Sequence, residues 1–102
     1  MNTHRIASAL DSSAANNSPS YNLAEAMKDN NNRNNIGTVQ MIHATGSGVT
    51  IKVQGSCDGT AWIDLATGIT ATVGKTLALM PFMRATVTTT SASSTVNVFI
   101  VQ

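Results

Sequence analysis

The sequence predicts an all-β fold: a small antiparallel β-sandwich or barrel of about seven strands, preceded by an extended N-terminal arm with a short helical turn. Three observations carry this. From Ile36 onward, apolar residues recur at every second position, the period of a half-buried strand. Turn residues (Gly, Ser or Pro) interrupt these runs about every 8 to 12 residues. No long helix-period segment lies among them. The chain of 102 residues therefore divides into an arm over 1–35 and a β-sandwich domain over 36–102.

The arm is rich in Asn, Ser and Ala and ends in "KDNNNRNN", Lys28 to Asn35. So polar a tract cannot bury enough apolar surface by itself to offset its ordering entropy. Within it, "YNLAEAMKD" supports one or two helical turns. Asn22 is the N-cap, Glu25 follows three residues on, and Leu23, Ala26 and Met27 share a face. The bland reading is a solvated tail. Ile6, Leu10, Tyr21, Leu23 and Met27 favour the other reading, because they are apolar anchors that a tail would not need. They are expected to contact a neighbouring subunit, ordering the arm as it binds.

In the second part, "GTVQMIHA" opens the strands. "VTIKVQ" sets Val49, Ile51 and Val53 against Thr50, Lys52 and Gln54. "AWIDLA", "ITATV" and "TLALM" follow. "MRATVTTT" then alternates Met83, Ala85 and Val87 with Arg84, Thr86 and Thr88. The last run, "TVNVFIVQ", places Val96, Val98 and Ile100 opposite Asn97, Phe99 and Val101, as in a strand covered on both faces. Between the second and third runs, "GSCDGT" breaks the pattern. Asp58-Gly59 suits the positive-φ positions of a turn, and Gly55 reads as a bulge. Trp62 follows, where a large ring would be buried at one end of a small core. Asp58, Gly59 and Trp62 are thus assigned to turn and core.

Nothing in the sequence calls for catalysis. Cys57 has no histidine in a recognisable motif, since His4 falls in the arm and His43 in the first strand. These three residues, scattered, do not make a zinc site. In "GITATVGKT", Gly68 and Gly74 have the wrong spacing for a phosphate-binding loop. Asp58 and Asp64 could approach across the hairpin, but nothing splits their pKa values. The chain is read as a non-enzyme with no cofactor and no metal.

Charged residues make up only 11% of the chain and the net charge is +1, which gives no pull on nucleic acid. There are few aromatics for base stacking. The N-terminus lacks the apolar core of about 7 to 15 residues that a signal peptide needs. No apolar run is long enough for a transmembrane helix. The single cysteine permits no intrachain disulfide. Neither nucleic acid nor membrane is expected as a partner.

The segments "VQGSCDGTAWIDL" and "MPFMRATVTTTSASSTVNVFIVQ" resemble a pattern in small β-sandwich structural proteins of tailed bacteriophages. There, a strand like V-x-x-S-x-D-G-x-x-W-x-x-L precedes an arginine-bearing strand, a Ser/Thr/Gly turn and a valine-rich final strand. Ser56, Asp58, Gly59, Trp62, Leu65 and Arg84 fill the matching places, over about residues 49 to 102. Cys57 departs from the pattern. The resemblance implies a virion structural protein, foremost a capsid decoration or cement protein. Its partners would be the major capsid protein or other virion subunits, including copies of itself, and it would assemble in the host cytoplasm. Head-fibre, neck and tail components share the pattern. Some sugar-binding sandwiches look similar, with Trp62 or Tyr21 as a stacking platform.

Overall fold

A computed structural model of the chain describes residues 3–13, 15–27, 36–43, 48–70, 72–90 and 95–102. The described elements are β1 (Thr3–Asp11), β2 (Tyr21–Asn22), α1 (Leu23–Met27), β3 (Ile36–His43), β4 (Thr50–Ser56), β5 (Ile63–Ile69), β6 (Lys75–Ala78), β7 (Phe82–Thr89) and β8 (Thr95–Val101). They form two four-stranded sheets, β1-β8-β3-β6 and β2-β7-β4-β5, with every pairing antiparallel. The fold is all-β. Neither sheet closes into a barrel, and each keeps two edges.

The period-two runs fold as their alternation requires. Ile51 and Val53 on β4, Met83, Ala85 and Val87 on β7, and Val96, Val98 and Ile100 on β8 are all buried, and Val49 is buried just before β4. Their polar alternates face outward, half-buried on average because neighbouring strands shield their stems. One apolar cluster joins side chains from both sheets, Val39, Met41 and Ile69 among them. On β8 the second face is only partly covered, so the expected two-sided burial holds for one face alone.

Two strand expectations are corrected. "ITATV" is not a strand of its own. Its first residue, Ile69, ends β5, and Thr70 and Val73 then exchange backbone hydrogen bonds across a turn. Gly55 is not a bulge. It pairs in register with both Ile63 and Met83, and the β4–β5 shifts fall between Ile51 and Gln54. Position 55 is tight: a Cβ there would approach Leu65 Cδ1 to 2.6 Å and Met80 Sδ to 2.8 Å, so those side chains would have to shift to admit one.

The larger correction concerns the arm. Its anchors were expected to contact a partner, but Ile6, Leu10 and Leu23 are buried in this chain's own core. Strand β1 pairs with β8 along the edge of the first sheet. The chain then crosses to β7. The Asn16 carbonyl accepts the Val87 N–H at 2.8 Å, Ser18 N–H donates to the Ala85 carbonyl at 2.8 Å, and β2 pairs Tyr21 with Met83. Residues 3–22 thus supply an edge strand to each sheet. Composition hid this because edge pairing uses backbone groups, which Asn and Ser offer as well as any residue. An edge strand also needs only one covered face.

Strand β1 is irregular. Its register against β8 shifts twice, and Ala9 takes a left-handed φ of 50°. The Asn97 side chain accepts the Ala9 N–H at 3.0 Å, satisfying the group the bulge frees. The helical turn forms as its cap dictates, with Glu25 N–H donating to Asn22 Oδ1 at 2.9 Å. The Pro81 carbonyl accepts from Leu23 and Ala24, docking α1 against the start of β7. Ala26 is exposed, and the Met27 side chain lies outside the described residues.

Candidate functional site

The site is built at one end of the second sheet, from the loop between β4 and β5 and the outer face beside it. Ser56 ends β4 with its side chain fully buried. Its hydroxyl accepts the N–H groups of Asp58 (3.2 Å) and Gly59 (2.8 Å) and donates to Asp58 Oδ1 at 2.9 Å. The same carboxylate oxygen accepts from Thr60 N–H at 2.8 Å and Ala61 N–H at 3.0 Å. Two side chains thereby satisfy four loop amides. Gly59 sits at φ 83°, a conformation that side chains disfavour. The Ala61 and Thr60 amides, then the Ser56 hydroxyl, hold the Asp58 carboxyl far below the usual carboxylate range. The turn assignment of Asp58 and Gly59 is the geometry observed. Cys57 is exposed on this loop.

Trp62 differs from expectation. It precedes β5, is half-buried and is not part of the core cluster. Strand alternation puts it on the same face as Asp64, outside the sheet. There the Arg84 guanidinium from β7 lies 4.3 Å from the centre of the indole ring. Arg84 Nε donates to Gln54 Oε1 at 2.7 Å, and Gln54 Nε2 donates to Asp64 Oδ1 at 2.8 Å. Lys52 Nζ lies 3.3 Å from Asp64 Oδ1 in an exposed ion pair. The Gln54 amide and then Lys52 lower the Asp64 pKa. Thr86 on β7 donates its hydroxyl to Asn17 Oδ1 at 2.8 Å, extending the polar row to the N-terminal segment.

Sequence reasoning missed Arg84, Gln54 and Lys52 as parts of one site. Arg84 lies on a strand 22 positions after Trp62, so only the register of β4 between β5 and β7 brings them together. The usable signal was their shared parity: Lys52, Gln54, Asp64 and Arg84 all take the outward positions of their strands. Asp58 and Asp64 do not act as a pair, because one closes the loop and the other holds Gln54 and Lys52. His4 makes its contacts outside this row. It is buried, with Nε2 2.8 Å from Gln102 Oε1 and Nδ1 3.3 Å from the Tyr21 hydroxyl. The His43 side chain lies outside the described residues. Among the described residues, no three of His, Cys, Asp or Glu group as a metal site, and no helix is long and apolar enough to cross a membrane.

No family model, no curated protein and no solved structure matches the chain.

Proposed function

We propose that this chain is a bacteriophage virion structural protein whose two sheets stack as a β-sandwich, most specifically a decoration or cement protein fastened to the capsid surface. The observation that carries the reading is the outer face of the first sheet. Ile36, Thr38, Gln40 and Ile42 on β3 lie beside Asn97, Phe99 and Val101 on β8. Ile36 is 54% exposed and Ile42 47%, although both sit in regular strand. Arg5 and Asp11, both on the edge strand β1, are the charged side chains among the described outward positions of this face. Such a surface can be covered by another protein without desolvating many charges. We assign it to contacts between copies of this chain. The resemblance around Ser56, Asp58, Gly59, Trp62 and Arg84 supports the phage setting. Head-fibre, neck and tail positions would use the same faces.

The test is the mass of the purified protein, alone and mixed with capsids of the same virus. Association with the capsids and self-association are expected. A monomer that never joins the particles overturns the reading.

A second reading, a carbohydrate-binding module, draws support from the half-exposed Trp62, since aromatic rings stack on sugars when solvent reaches them. Its check is quenching of the indole fluorescence by neutral oligosaccharides. No change in emission eliminates it.

A further inference from the structure

Arg84 is held more firmly than its internal partners require. Its guanidinium is fixed at Nε by Gln54 and across its face by Trp62, and Gln54 is itself fixed by Asp64. These contacts leave the two Nη groups, with four N–H donors, without a partner among the described residues. No described carboxylate pairs with Arg84, because Asp64 is already held by Lys52 and Gln54. Loop closure likewise occupies Asp58. An arginine fork is shaped for two parallel hydrogen bonds to a carboxylate. Here its side-chain entropy is already spent, which favours binding.

We propose that Arg84, levelled on Trp62 and Gln54, is the anchor for an Asp or Glu side chain of a partner protein, received on the outer face of the second sheet. The charge argues for that occupant. On the described part of this face Lys52 and Asp64 cancel, which leaves the Arg84 charge unmatched. The inference rests on the reading of the chain as a protein that attaches to a shell. It gives that attachment a polar, salt-sensitive contact opposite the apolar face of the first sheet.

The test uses the full chain, labelled with nitrogen-15, titrated with blocked hexaglutamate and separately with oligogalacturonate. Hexaglutamate should shift the Arg84 Nε–H and Trp62 Nε1–H resonances saturably, and added salt should reverse the shifts. Arg84→Lys keeps the charge but loses the fork, and should weaken the affinity about tenfold. Arg84→Gln should abolish binding, and thermal unfolding of both variants checks that the fold persists. Absent shifts, or shifts undiminished in Arg84→Lys, overturn the proposal. Shifts with oligogalacturonate alone would assign the fork to an acidic sugar and overturn it equally. Capsid binding by the wild type separates the two ideas. Binding retained in Arg84→Gln refutes the anchor and leaves the shell reading standing, whereas absent wild-type binding refutes the shell reading while the peptide titration still reports on Arg84.

Discussion

Ser56 is the residue on which the loop closes. Its buried hydroxyl bonds with two loop amides and with the Asp58 carboxylate. Ser56→Ala should cost about 1–3 kcal/mol, because it leaves two amides and a carboxylate short of partners. Denaturant unfolding measures it, and a neutral result would mean the loop re-forms without the hydroxyl. Acid should act on the neighbouring carboxylate. The pKa values of Asp11, Asp58 and Asp64 are all lowered from 3.8, so the unfolded chain binds protons more readily than the folded one. Their contribution is therefore complete above the unfolded value and is lost as pH falls below it. The melting temperature should drop steadily below about pH 4, and less so in Asp58→Asn, where the largest shift is removed. Trp62 belongs to the same scale. A half-buried ring under a guanidinium should show a coupling of about 0.5–1 kcal/mol in a double-mutant cycle with Arg84. A coupling of zero would reduce the stack to mere proximity.

At the scale of the element, the N-terminal segment decides stability. Leu23 opens α1 and packs it into the core at 1% exposure, so Leu23→Ala should cost about 2–5 kcal/mol. Removing residues 1–27 would strip an edge strand from both sheets and take Ile6, Leu10 and Leu23 out of the core. The truncated chain should lose its cooperative melting transition. A sharp transition near the full-length temperature would restore the view of this segment as a detachable arm. The anchors themselves were legible: Ile6, Leu10, Tyr21 and Leu23 stand out in a polar tract. What they bury against was not, because the partner strands β7 and β8 lie at the other end of the chain. Strands β3, β4, β7 and β8 were legible from their period because each buries alternate residues. The run of β5 on through Gly68 to Ile69 was not, since Gly68 sits at φ 70° where a break was expected. Trp62 was misread for a related reason. A lone tryptophan in a small domain suggests the core, and only the register between β4, β5 and β7 reveals the arginine that covers it instead.

For the molecule as a whole, the two outer faces differ in kind, and their difference can be measured. The first sheet presents Ile36 and Ile42 in a threonine-rich surroundings, with Thr38 and Thr76 hydroxyls 3.3 Å apart. The second presents Arg84 over Trp62 beside a neutralised ion pair. Ions screen a charged contact and leave an apolar one largely intact. Self-association through the first sheet should therefore survive high salt, while attachment through Arg84 should weaken in it. Ile42→Lys introduces a charge at an exposed position of β3 that the fold does not need to bury. Its stability should stay within about 0.5 kcal/mol of the wild type, as for most surface substitutions. Its effect should fall on assembly, because an unpaired ammonium would have to be desolvated in the interface. Sedimentation equilibrium should find Ile42→Lys shifted towards the monomer at every salt concentration, with Arg84→Gln unchanged in self-association. If Ile42→Lys associates as tightly as the wild type, the copies do not meet through the first sheet, and its uncharged face serves some other contact.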